Sequence, residues 1–441
     1  MKSSLLIPSQ HGLSRKGFSW RWVHIGLAAL AMVATLPGRT HGLGLFTEPI
    51  RRSLGLDAES YGLLNMWATL LGALFCLPCG WLIDRLGTRR VLTGVMIALG
   101  SVVVIMSRVQ GDWVWHGSLP SSWGTFSIVL LVDFFLLVLL TRGLGQSALS
   151  VASLALLGRS APRRGGWAMG VYSVLVSVGF MAAFGSLGGW VKQHPNEWRP
   201  AWASIGVAVV FAGLLTGALV RPRSLETESS DGEATDGEAE TSRTLGQALR
   251  SPAFWTFGVA VSFYGMVAAG TSLFNEGILN TLFPEDTKRI FVNVTLLGIP
   301  IGLASNLLGG WLAMRWSLSR MLALAMAALA AALAVFPSIR AEWQVYLYAA
   351  IVAAAGGVIT VCFFAVWRVG FGPVHLGKIQ GAAQMLTVLF SALGPPLFGS
   401  VKVRMGSYLT LFPYLAGVSL TLALTAWLAD LPGERATAKT P

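Results

Sequence analysis

The chain has 441 residues, of which 54% are hydrophobic and only 12% charged, with a mean hydropathy of +0.64. A soluble globule carries about twice that charged fraction, so a water-exposed enzyme is excluded and no room is left for a separate catalytic domain. The formal net charge of +12 sits in short clusters at the ends of apolar runs (Arg85, Arg89 and Arg90; Arg159, Arg163 and Arg164; Arg221 and Arg223), a pattern of membrane topology rather than of a nucleic-acid patch.

In chain order, a polar, basic tail (1–21) precedes an apolar stretch with no small-residue cleavage site, which is read as an uncleaved first span. Runs of about 20 apolar residues, the length that crosses a bilayer, follow near Trp22–Phe46, Tyr61–Leu82, Val91–Ser107, Phe126–Leu149, Ala168–Val191 and Ala201–Val220. A second set lies near Phe254–Leu279, Ile290–Leu312, Met321–Phe336, Trp343–Trp367, Ile379–Val401 and Leu409–Leu428. Between the sets, 221–251 contains the acidic tract Glu226–Glu240, too polar to bury a core. The expected organisation is a cytoplasmic tail (1–21), a six-helix half (22–220), a cytoplasmic acidic linker (221–251), a second six-helix half (252–428) and a cytoplasmic tail (429–441). Alternating the loops puts roughly 20 Lys/Arg on the side of the N-terminus and roughly 10 on the other, which orients both termini to the cytoplasm.

An internal repeat supports two equivalent halves. Gly80-Trp81-Leu82-Ile83-Asp84-Arg85 recurs 230 residues later as Gly310-Trp311-Leu312-Ala313-Met314-Arg315, and Leu45 to Ile50 recurs 228 residues later as Leu273 to Ile278. The fold expected is an all-α membrane protein of twelve transmembrane helices, arranged as two pseudo-symmetric six-helix bundles. Its ligand site would lie between the halves near the midplane, in a cavity lined chiefly by helices one, four, seven and ten.

The residues that can carry chemistry are few. The first span holds Pro37, Gly38, Arg39, Thr40, His41, Gly42 and Gly44, where a helix break is expected. Arg39 and His41 are the ionisable groups within Pro37–Gly44, and a buried ionisable residue needs a partner or a wet cavity. Arg39, His41, Arg142, Gln146 and Glu276 are the candidate substrate contacts. Glu48 and Asp133 are candidate coupling groups. Arg142 and Gln146 share a helical face, whereas Asp133 points about 180° away from Arg142 on a straight helix. The glycines of the fifth span, closing with Gly185, Gly188 and Gly189, read as small-residue packing. Cys76 and Cys79 spell C-x-x-C deep in an apolar helix and read as packing residues. Gly372 to Ile379 nearly spells a phosphate-binding loop, but the terminal Ser/Thr is missing and no strand precedes it. No cofactor or metal is expected.

The segment Gly80, Asp84, Arg85, Gly87, Arg89, Arg90 resembles the G-x-L-x-D-R-x-G-R-R loop signature of the major facilitator superfamily. Leu140 to Gln146 is similar to that family's fourth-helix motif. Leu249 to Trp255, Phe371 to Gly381 and Ser391 to Gly399 resemble its monocarboxylate and oxalate/formate subgroup. The resemblance implies a non-enzymatic secondary transporter working by alternating access, coupled to protons or to exchange, in the bacterial inner membrane. It implies a monomer among lipids, and a small organic anion such as a monocarboxylate as solute. Export of amphipathic drugs and transport of a neutral sugar are the alternatives within transporters, and a non-transporting receptor is the alternative outside them. In the subgroup a basic residue in helix eight holds the anion. Ile290–Leu312 has none inside the membrane, and Lys378 lies at the start of the eleventh span, so the cation of the first span takes its place in this reading.

Overall fold

The computed structural model describes residues 15–39, 46, 49–50, 53, 58–109, 128–160, 166–194, 197–221 and 242–431. Among them are twelve helices long and apolar enough to cross a membrane: α1 (Trp20–Gly38), α2 (Leu64–Leu86), α3 (Thr88–Met106), α4 (Phe134–Ser160), α5 (Trp167–Trp190), α6 (Trp198–Leu219), α7 (Pro252–Leu282), α8 (Thr287–Leu312), α9 (Leu318–Ser338), α10 (Glu342–Phe371), α11 (Leu376–Met405) and α12 (Leu409–Leu428). In hydrocarbon every backbone polar group needs an internal partner, and a helix supplies one for each. The spans were predicted in the right number and order, but α4 runs to Ser160, eleven residues beyond the expected Leu149. Ser150, Ser153 and Ser160 are buried against neighbouring helices, so polar side chains that break the hydropathy signal belong to the span.

Tight turns fall where only glycine is unstrained. Gly87, between α2 and α3, has φ +84°, and Gly372, between α10 and α11, has φ +81°, the left-handed region that a Cβ penalises. Pairs α3–α6, α7–α11, α8–α10 and α9–α12 pack most extensively. Lipid tails are as apolar as leucine, so such pairs depend on close backbone approach. A Cβ on Gly100 of α3 would lie 2.5 Å from the Gly206 carbonyl of α6, and one on Gly206 would lie 2.7 Å from the Gly100 carbonyl. Phe211 (68% exposed), Leu296 (62%) and Leu428 (80%) present the outward apolar surface a bilayer solvates.

Two seams join the first six helices to the last six, α2 on α11 and α5 on α8. Glycines make both crossings. Gly80 abuts the Gly377 carbonyl, and Gly170 abuts the Asn306 carbonyl and Gly310 Cα. On α5 the packing glycines are thus Gly170 and Gly179, the latter against Val33. Gly185 and Gly189 face open space, so the packing expected of this span is made by its earlier glycines.

Candidate functional site

Pro37 and Gly38 do break α1. The helix tightens into a 3-10 turn at Leu36–Gly38, and Arg39 is extended at φ −91°, ψ 150°. Opposite, α4 widens into a π-helical segment over Arg142–Leu149, the kind of bulge that tends to mark functional sites. The two irregularities touch. A Cβ on Gly38 would stand 2.4 Å from the Thr141 carbonyl oxygen and 2.7 Å from Gly145 Cα, so only glycine permits this approach.

Arg39 leaves that break half-buried. Its Nε donates to Thr35 Oγ1 at 2.7 Å, and its Nη2 lies 3.0 Å from Met32 Sδ and 3.4 Å from Ser150 Oγ of α4. Its guanidinium carbon sits 5.2 Å from the centroid of the Phe180 ring on α5. None of the ion pairs among the described residues includes Arg39. Its contacts are neutral, and its charge is uncompensated by any described carboxylate.

Arg142 sits differently. It is 2% exposed, and it donates to the Gly38 carbonyl at 3.3 Å and to Asn65 Oδ1 at 3.0 Å. It ties the break in α1 and the body of α2 to α4. Gln146, one turn on, is half-buried, and its Oε1 has no hydrogen-bond partner among the described residues. Glu276 is exposed on α7 and does not reach Arg39. His41 and Glu48 lie outside the described residues. So does the side chain of Asp133, although its backbone belongs to the helix Ile128–Thr141.

A cavity of about 430 Å³ opens between α5, α7, α8 and α10. Ser177, Tyr264, Asn306, Thr360 and Phe364 are among its lining residues, and none of the lining side chains is charged. It adjoins the Arg39 region through α5, where Phe180 follows Ser177 and precedes Met181, another lining residue. Tyr172 bridges the same two regions. Its ring meets Phe364 edge-on at 5.0 Å, and its hydroxyl bonds Ser153 Oγ at 2.8 Å while Ser153 donates to the Ala28 carbonyl at 2.7 Å.

Sequence reasoning missed this neutral lining. Gly298, Gly302 and Asn306 recur every fourth residue on α8, one face of a helix, and Asn306 is a buried amide in an apolar span. That stripe was the available signal.

Away from the cavity, on the side where residues 221 and 242 emerge, the predicted loop signature forms a latch. Asp84 Oδ1 accepts from Arg159 and from the Gly377 backbone N–H, each at 3.1 Å, and Oδ2 accepts from the Lys378 N–H at 3.1 Å. A carboxylate on exposed helix-terminal N–H groups is well placed electrostatically. Arg159 also donates to Thr88 Oγ1 at 2.9 Å, and Arg368 of α10 donates to the Gly158 carbonyl of α4. Arg85 stacks on Trp81 at 5.0 Å, Arg89 donates to the Gly217 carbonyl at 2.7 Å, and Arg90 is exposed. These contacts tie α2 and α4 to α10 and α11 on this side. Cys76 and Cys79 are buried free thiols, with Cys79 Sγ 3.2 Å from the Ala148 carbonyl. Among the described residues no group of His, Cys, Asp and Glu could hold a metal ion.

Solved structures similar to this one include three described as transporters or symporters. The proton:xylose symporter XylE bound to 6-bromo-6-deoxy-D-glucose superposes at a TM-score of 0.70, with 15% identity over 96% of this chain and 98% of that one. The E. coli fucose:proton symporter FucP gives 0.61 and 14% over 93% and 99%, and the human organic anion transporter MFSD10 gives 0.60 and 16% over 94% and 100%. At such identities the likeness shows the fold alone, and it does not single out the monocarboxylate subgroup. No curated protein sequence matches the chain. The sequence profile described as Major Facilitator Superfamily matches residues 27–284, more than half the length and including both the latch carboxylate and the paired break of α1 and α4, so this twelve-helix membrane protein belongs to the major facilitator superfamily of transporters.

Proposed function

We propose that this transporter carries a small organic anion by alternating access, and that Arg39 is the group that receives the anion. The observation carrying this reading is the position of Arg39. It lies at a helix break against Phe180 of α5, a helix whose Ser177 and Met181 line the cavity, and no described carboxylate pairs with it. Burying an arginine at mid-span costs about 2.5–3.5 kcal/mol on translocon scales, and a substrate carboxylate matched to its planar fork offsets that cost. The similar structures divide between sugars and an organic anion in what they are said to carry, and the unpaired cation favours the anion here. In this reading the protein is a monomer in the bacterial inner membrane with both termini in the cytoplasm. It is coupled to protons or to exchange, and Arg142 and Gln146 hold the frame in which Arg39 is presented.

The test compares Arg39→Gln and Arg39→Lys in purified protein, with ligand binding and thermal unfolding measured side by side. Loss of organic-anion binding in a stable Arg39→Gln protein, partly restored by lysine, is the expected result. Undiminished anion binding by that protein would refute the role.

A further inference from the structure

From the neutral cavity that shares the α5 wall with Arg39 we infer that the anion carries several hydroxyl groups, making it a polyhydroxylated organic acid. Its carboxylate meets Arg39, and its hydroxyls meet Tyr264, Asn306 and Thr360. The inference rests on the anion reading for one end of the ligand only.

Asn306 is 6% exposed and lines the cavity, yet its side-chain oxygen Oδ1 is buried with no hydrogen-bond partner among the described residues. An unpaired buried amide is destabilising, and it is retained where a ligand completes it. One and two turns earlier on α8, Gly302 and Gly298 meet nothing within 4 Å of a Cβ, so the face leading to Asn306 is cleared. Across the cavity the Tyr264 hydroxyl nests on Gly356, where a Cβ would clash with it. The Thr360 hydroxyl donates to the Gly356 carbonyl at 2.8 Å, which leaves its oxygen free to accept.

These groups are neutral, and they both donate and accept, as a hydroxyl does. An anion or a cation would gain no charged partner from this lining. A short unsubstituted acid would leave the amide unpaired and most of the 430 Å³ unfilled, whereas pockets of this size suit larger ligands. Phe364 supplies an apolar wall for the carbon skeleton. The arrangement therefore separates charge recognition, on α1, from hydroxyl recognition, on α7, α8 and α10.

The experiment uses three probes of matched length on the full chain in detergent: D-gluconate, hexanoate and sorbitol. Affinities are measured by calorimetry for the unmodified protein and for Asn306→Leu, Tyr264→Phe and Arg39→Gln, each first shown to unfold at an unchanged temperature. The unmodified protein should bind gluconate at least tenfold more tightly than either other probe. Asn306→Leu and Tyr264→Phe should each weaken gluconate about five- to tenfold and leave hexanoate within twofold. Tyr264→Phe removes a single oxygen, so it keeps the test open if Asn306→Leu fails to fold. Equal binding of hexanoate and gluconate, insensitive to both substitutions, would overturn the hydroxyl subsite and leave the anion reading standing. Gluconate binding that survives Arg39→Gln but falls in the other two variants would do the reverse. Failure to bind any of the three probes would overturn the ligand class proposed here.

Discussion

Replacing Asp84 by Asn should shift the protein toward the state that is open on the linker side. The asparagine oxygen can still accept one of the two N–H groups at the start of α11, but the ion pair with Arg159 and the negative charge at the helix terminus are lost. Asp84 is only 8% exposed, so solvent screening is slight. A charge-assisted hydrogen bond contributes about 1.5–3 kcal/mol, and a charge at a helix terminus about 0.3–1 kcal/mol. Asparagine recovers part of both, which leaves a net loss of roughly 1–2 kcal/mol and a change of about 5- to 30-fold in the ratio of the two states. A suitable reporter is Ser160→Cys, at the linker-side end of α4 and 1% exposed, in a protein whose three native cysteines have been replaced. Its maleimide labelling rate should rise by that factor with Asp84→Asn, while ligand affinity stays within a few-fold and transport slows. An unchanged labelling rate in a folded Asp84→Asn protein would refute the latch.

Three further predictions follow from packing, charge and topology. Gly38→Ala should cost about 1–3 kcal/mol by overpacking, because its Cβ meets backbone atoms of α4 that cannot swing aside; Gly94→Ala, with nothing within 4 Å, should leave thermal unfolding unchanged. Arg142→Met should lower thermal stability by about 2 kcal/mol, since the buried Gly38 carbonyl and the half-buried Asn65 lose their donor, whereas Arg39→Gln should leave it nearly intact; the reverse order would exchange the roles of the two arginines. Reporter fusions after Lys16, within Ser229–Ala239 and after Arg435 should all read cytoplasmic, and an opposite signal from the acidic linker alone would contradict the six-plus-six orientation.

The parts of the site that were legible in the sequence are those written in consecutive residues. Gly80 to Arg90 spells a latch because a helix end, a carboxylate and a turn glycine must be adjacent in the chain. The break at Pro37 and Gly38 is equally local. The hydroxyl-binding wall was not legible, because Tyr264, Asn306 and Thr360 belong to three different helices and each looks like a lone polar residue in an apolar run. Arg142 and Arg39 illustrate the same limit. Both are arginines inside spans, and only the fold shows that one donates to Gly38 and Asn65 across two helices while the other meets Thr35 and an aromatic ring.

The repeat explains why so much rests on one carboxylate. Both copies place a glycine at a seam, Gly80 against α11 and Gly310 against α5, and both stack an arginine on the tryptophan one turn before it, at 5.0 Å for Arg85 and 4.3 Å for Arg315. The copies differ where Met314 stands in place of Asp84. The α5–α8 seam is thus held by close packing without a carboxylate from the repeat, and the α2–α11 seam by packing plus charge. Close packing gives way when two helices separate by a fraction of an ångström, while a carboxylate on helix N–H groups acts over a longer range. Among the described residues no second carboxylate latch is in place to take over when Asp84 is neutralised. The contact from Arg368 to Gly158 remains, which is why the shift should be a few tens-fold at most rather than a collapse of the closed state.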